Sequence, residues 1–133
     1  MIIEKNFFQS ILRVGLFWCI FFSATGALAQ NVVADQDEFD ALKALYDNLG
    51  GSGWTNKTNW PLQGNWPATA TAAQMDTWFG ITVTNGDITG IDLRLNNLTG
   101  SIPASIGQLE KLYSLYLYDN KITGALPSSI GQL

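Results

Sequence analysis

"LTGSIPASIGQL" (Leu98–Leu109) and "ITGALPSSIGQL" (Ile122–Leu133) decide how this chain is read. The second nearly repeats the first, and the likeness extends upstream at one constant offset of 24 residues. Ile88 matches Leu112, Ile91 matches Leu115, Leu93 matches Leu117 and Asn96 matches Asn120. Gly100, Pro103, Ile106 and Gly107 likewise match Gly124, Pro127, Ile130 and Gly131. No insertion breaks the register. A period of about 20 to 50 residues marks stacked units, each of which buries its apolar face only against its neighbours.

Each repeated position has a physical reading. Ile91 and Leu93, then Leu115 and Leu117, are expected to point inward from short strands, while Asp92, Arg94, Tyr116 and Tyr118 point outward by the two-residue period. Asn96 and Asn120 fall where the chain leaves the strand, and a side-chain amide there can satisfy backbone groups from coil to coil. Gly100 and Gly124 permit backbone geometries that other residues resist. Pro103 and Pro127 open a return segment across the far side, tucking Ile106 and Leu109 beneath it.

Before the repeats, "DQDEFDALKALYDNLGG" (Asp35–Gly51) reads as an amphipathic helix over about 36–49. Phe39, Leu42, Leu45 and Leu49 make its apolar face, and Gly50 and Gly51 stop it. Asp35 with Glu38 three residues later resembles a capping box, and the acidic first turn suits the positive end of the helix dipole. Asp35, Asp37, Glu38 and Asp40 lack the spacing and glycine of a calcium loop, so capping and solubility account for them better. Trp54, Trp60, Trp66 and Trp78 follow in a stretch punctuated by glycine and proline. They are expected to plug the open end of the core, with stacking on sugar rings as the alternative. "FGITVTNGDITGIDL" (Phe79–Leu93) alternates apolar and polar residues around Asn85-Gly86, as two strands joined by a tight turn.

The first 29 residues read differently. Lys5 and Arg13 precede an apolar run, "VGLFWCIFF" (Val14–Phe22), and small residues surround Ala27 and Ala29. That is the layout of a secretory signal peptide, cleaved between Ala29 and Gln30. The run falls short of the roughly 20 residues of a membrane span, so no stable span is expected in the mature chain. Bulky Phe17 and Trp18 ahead of Cys19 argue against lipid attachment there. Setting Lys5, Arg13 and Glu4 aside from seven basic and eleven acidic residues leaves five and ten, a formal charge of −5. An acidic chain without basic clusters makes nucleic acid a poor partner. With Cys19 removed, the mature chain holds neither cysteine nor histidine, which excludes disulfides, thiolate or imidazole metal sites, and histidine-assisted nucleophiles. The carboxylates are scattered, so no catalytic residues, metal or cofactor are assigned.

"LEKLYSLYLYDNKITGALPSSIGQL" (Leu109–Leu133) resembles the 24-residue leucine-rich repeat common in plant extracellular receptors and polygalacturonase inhibitors. The helix, the tryptophan-rich segment and the strand near 79–84 resemble the N-terminal cap preceding such repeats. Plant caps usually hold paired cysteines, and Val83 stands where the second belongs. A cysteine-free cap is similar to those of bacterial exported members. The resemblance implies an α/β solenoid, a right-handed coil with short parallel strands on the concave face and irregular or 3-10 segments on the convex face. It divides the chain into a signal peptide (1–29), a cap (30–87) and about two repeats (88–133).

The same resemblance implies recognition of a protein, peptide or glycan at the cell surface or outside the cell. The ligand-binding candidates are Asp92, Arg94, Ser114, Tyr116, Tyr118 and Asp119, with Tyr116 and Tyr118 foremost because tyrosines bury area at low entropy cost. A bland alternative is that Tyr113, Tyr116 and Tyr118 merely cover an exposed sheet. A cell-envelope component touching glycans through the tryptophan cap is a second functional reading, and an enzyme would require a further domain. Asn56 and Asn97 head triplets that accept N-glycans in a eukaryote. Three strands about 4.8 Å apart offer a footprint of roughly 200 to 250 Å², well below the roughly 800 Å² per partner of a standard interface. The visible array is therefore expected to be the front of a longer solenoid or receptor-like protein.

Overall fold

The computed structural model describes residues 35–133; the expected signal peptide and its cleavage site lie outside the described residues. Helix α1 (Gln36–Asn48) starts from Asp35, whose side chain accepts a hydrogen bond from the Asp37 N–H at 3.0 Å. Phe39, Leu42, Leu45 and Tyr46 are buried along it, and Leu49 closes it. The expected Asp35–Glu38 capping box does not form. Position 38 lies on the buried side of the helix, where Glu38 Oε1 instead accepts the Ile88 N–H at 3.1 Å. A capping box does form at the short helix α2 (Ala72–Met75), where Thr71 and Gln74 satisfy each other's backbone N–H groups. After Leu49, Gly50 turns the chain at φ 67°, and a Cβ there would lie 2.6 Å from Thr99 Oγ1. Only glycine suits both the left-handed backbone and that approach.

The tryptophans close the core from this side. Trp54, Trp60 and Trp78 are at most 5% exposed, while Trp66 is half-buried. Trp60 stacks on Tyr46 at 5.8 Å and meets Trp54 edge-on at 5.0 Å. The indole N–H groups of Trp54 and Trp60 donate to the carbonyls of Leu49 and Phe79 at 2.8 and 2.9 Å. Trp54 and Trp60, packed and bonded in this way, have no free face for a sugar, which overturns the glycan-stacking alternative for these two residues.

Strand β1 (Ile81–Thr84) pairs antiparallel with β2 (Asp87–Asp92) through Asn85 and Gly86, both at positive φ, as a tight two-residue turn demands. Gly80 at φ 81° precedes β1, so the strand begins two residues after the expected Phe79. Beyond β2 come the short strand β3 (Thr99–Gly100), then β4 (Ser114–Tyr116) and β5 (Lys121–Ile122). Strand β2 pairs parallel with β4, setting Gly90 against Ser114, Ile91 against Leu115 and Asp92 against Tyr116. The sequence offset is thus the register of the sheet. Strands β3 and β5 form a second parallel pair. Behind them, 3-10 segments at Ala104–Gln108 and Ser128–Gln132 start directly after Pro103 and Pro127, whose fixed φ favours a helical start next door. They pack together so closely that a Cβ on Gly107 would sit 2.7 Å from Ser129 Cβ.

Side-chain amides bind the layers at the strand exits. Asn120 Oδ1 accepts the N–H groups of Asn96 and Leu98, both at 3.0 Å, and its Nδ2 donates to the carbonyls of Leu93 and Leu117. One layer earlier, Asn96 repeats the arrangement with the N–H and carbonyl of Asn56. The expected coil-to-coil role of both asparagines holds, and Asn96 extends it into the N-terminal segment. Ile88, Ile91, Leu93, Leu98, Ile106 and Leu109 are at most 1% exposed and continue the core begun by α1. Burial of each such side chain stabilises the fold by about 1.5–3 kcal/mol.

Candidate functional site

The outward positions of β2 and β4, with the residues just after each strand, form one exposed patch. Asp92, at the end of β2, is half-buried, and Arg94 two residues on is exposed. Tyr116 and Tyr118 stand beside them one layer along, 49% and 52% exposed. The alternation of strand side chains, carried past the strand ends, puts all four on the same face.

Arg94 organises the patch. Its Nη2 lies 2.8 Å from Asp92 Oδ2, and its Nη1 donates to the Tyr118 hydroxyl at 2.7 Å. The guanidinium carbon sits 5.8 Å from the Tyr116 ring centre and 5.6 Å from that of Tyr118, within cation–π range. The hydrogen bond to Tyr118, with Asp92 alongside, raises the Arg94 pKa above its already high ordinary value, so the charge is permanent. Five guanidinium donors with two engaged leave others for a ligand carboxylate or carbonyl. The result is a cation held by Asp92 and the Tyr118 hydroxyl, within reach of both tyrosine rings and open to solvent.

The other candidates lie at the margins. Ser114 is half-buried beside Gly90, where an added Cβ would come within 2.9 Å of its Oγ. Asp119 is exposed just after Tyr118 and adopts φ 56°. Tyr113 is 80% exposed but precedes β4, outside the Arg94 cluster. The bland alternative of a simple cover therefore fits Tyr113 better than Tyr116 and Tyr118. The Arg94–Tyr118 pairing was readable in the offset of 24, since residues one repeat apart become neighbours. The same logic places Lys121 Nζ 2.9 Å from Asn97 Oδ1.

Among the described residues, no group of three or more histidine, cysteine, aspartate or glutamate side chains is placed to hold a metal ion. No helix among them is long and apolar enough to cross a membrane. Asn56 Oδ1 accepts from the Thr58 N–H and hydroxyl, and Asn97 Nδ2 donates to the Gly53 carbonyl.

A layered array of short parallel strands backed by 3-10 segments defines a solenoid-like repeat protein. The Leucine Rich Repeat family model matches residues 87–109 and 111–133, and these two segments are leucine-rich repeats. Among solved structures, the chain is similar to PEPR1-AtPEP1, at 20% identity and a TM-score of 0.54 over 74% of this chain and 13% of that one. It is also similar to the ectodomain of the receptor kinase SOBIR1 from Arabidopsis thaliana, at 25% identity and a TM-score of 0.49 over 76% of this chain and 50% of that one. A leucine-rich repeat protein from Bacteroides eggerthii matches at 24% identity and a TM-score of 0.47, over 71% of this chain and 14% of that one. The chain thus spans only 13% and 14% of the length of two of these neighbours. No curated protein matches it.

Proposed function

We propose that this chain is a recognition module, exported or displayed at the cell surface, that binds a protein or peptide on the face carrying Arg94, Tyr116 and Tyr118. The observation that carries this reading is the Arg94 cluster itself, a permanent charge held by Asp92 and Tyr118 beside two half-exposed aromatic rings. Pre-ordered aromatic and arginine side chains supply most of the energy at protein interfaces and lose little entropy on binding. Asp92, Ser114 and Asp119 complete the contact rim. In this reading the module is not an enzyme, and its selectivity comes from the outward side chains of each coil. Residues 1–29 direct export and are cleaved near Ala29, residues 30–87 form the cap, and the repeats wind as a right-handed coil with this face concave. The small size of the face supports a place at the front of a larger receptor-like or adhesin-like array.

The test is a random peptide library displayed against the purified chain, followed by affinity measurement on variants. Selected peptides are expected to lose about tenfold or more in affinity when Tyr116→Ala or Arg94→Ala is introduced, the cost of about 1.4 kcal/mol or more that an interface anchor carries. Selected peptides that bind both variants as tightly as the parent would overturn the assignment of this face.

A further inference from the structure

A cleft of about 390 Å³ lies where the tryptophan-rich segment meets helix α2, and it shares no residue with the Arg94 face. Its volume falls at the lower end of the roughly 300–1,000 Å³ typical of small-molecule sites. The apolar part of the wall comes from Pro61 and Pro67, with the small open part of Trp78, which is 5% exposed. Trp60 and Trp66 pack on Trp78 at 5.1 and 5.7 Å and hold it in place. The polar part comes from Asn59, Gln74 and Thr77, all exposed. No charged residue lines the cleft.

Each polar side chain is tied at one end and open at the other. Asn59 Nδ2 donates to the Thr77 carbonyl at 2.8 Å, which leaves Oδ1 to accept. Gln74 Oε1 accepts the Thr71 N–H at 2.8 Å in the capping box, which leaves Nε2 to donate. The Thr77 hydroxyl donates to the Gln74 carbonyl at 2.7 Å, which leaves its oxygen to accept. Two acceptors and one donor are thus oriented before any ligand arrives, and little ordering cost remains. An ion finds no counter-charge here. A proline-rich segment offers carbonyls but no N–H, and would leave both acceptors unmet. An extended peptide pairs with a strand edge, and no strand lines the cleft. A sugar ring carries hydroxyls that both donate and accept, and a C–H face that packs on apolar surface. We propose that this cleft binds a neutral saccharide, its hydroxyls bonded to Asn59, Gln74 and Thr77 and its C–H face against Pro61 and Pro67. Trp78 is too covered to stack beneath a whole ring and serves as a rigid wall.

The side-chain amides of Asn59 and Gln74 report occupancy directly. The experiment titrates maltose, cellobiose, xylobiose and N,N′-diacetylchitobiose, and separately an oligoproline peptide, into the isotope-labelled chain, following those amides and the Thr77 N–H by NMR. The expected result is a saturable shift at these signals with at least one disaccharide, at a Kd of about 1 mM or tighter. Thr77→Val and Gln74→Met keep side-chain size, and each is expected to weaken binding about threefold to tenfold, the worth of a neutral hydrogen bond. Because Thr71 still caps α2 in both variants, amides remote from the cleft should stay unshifted. Shifts that fail to saturate with every disaccharide, parent-like affinity in both variants, or tighter saturation by oligoproline would each overturn the proposal. Saturation confined to residues 92–94 and 114–119 would also overturn it, since the sugar would then occupy the Arg94 face.

Discussion

Leu95 shows how strictly the coil geometry is imposed on single residues. It is 69% exposed and sits at φ 55°, a left-handed conformation that costs a residue with a Cβ roughly 1–2 kcal/mol. One repeat later the same position is Asp119 at φ 56°, a residue type that tolerates this region better. Leu95→Asn should therefore stabilise the chain by about 0.5–1 kcal/mol, read as a rise of a few degrees in Tm. Glu38 supports a second prediction at this scale. Because its folded pKa is raised, the native state holds the proton more tightly than the unfolded chain. Its contribution is thus favourable below the ordinary carboxylate pKa and is lost as pH rises through the raised value. Glu38→Gln removes this dependence, so melting curves should show the variant gaining on the parent as pH climbs from about 4 to about 7. A constant difference across that range would show that Glu38 carries no such coupling.

At the scale of elements, the asparagines do what the turns alone do not. Asn120 satisfies two donors and two carbonyls in adjacent layers, and no other side chain of that length offers both kinds of group. Asn120→Ala leaves those partly buried groups unpaired and should cost about 2–4 kcal/mol in denaturant unfolding, with faster amide exchange at Asn96 and Leu98. Loss of only a few tenths would mean that water replaces the amide. Much of this layer was legible in the sequence, because periodicity constrains both the inward residues and the neighbours across coils. The pairing of Ile91 with Leu115 and the contact of Arg94 with Tyr118 follow from the offset alone. Glu38 was not legible in that way. Its spacing from Asp35 fits a capping box, and only the docking of α1 against Ile88 turns the side chain inward. The capping box of Thr71 and Gln74 carries the same signature as the false one, and context separates the two.

The whole molecule joins two unlike halves through one core. An aromatic cluster around Tyr46, Trp54 and Trp60 closes one end, and aliphatic layers extend it along the repeats. The contact between Asn96 and Asn56 and the bond between Glu38 and Ile88 stitch the halves at two separate places. This leaves two distinct surfaces, an aromatic sheet face centred on the Arg94–Asp92 pair and an acidic cleft near the helix start. The sequence revealed which residues face outward on the sheet. It did not reveal that Tyr113 stands apart from Arg94, since where β4 begins after the turn at Glu110 and Lys111 is a property of the chain path. The central claim is that the sheet face is where a ligand docks. It is tested most directly by mapping amide shifts of the labelled chain with the tightest peptide from the display selection. The account predicts shifts concentrated on Asp92, Arg94 and residues 114–119; shifts concentrated on the 3-10 segments or the tryptophan-rich stretch, with that face unmoved, would contradict it.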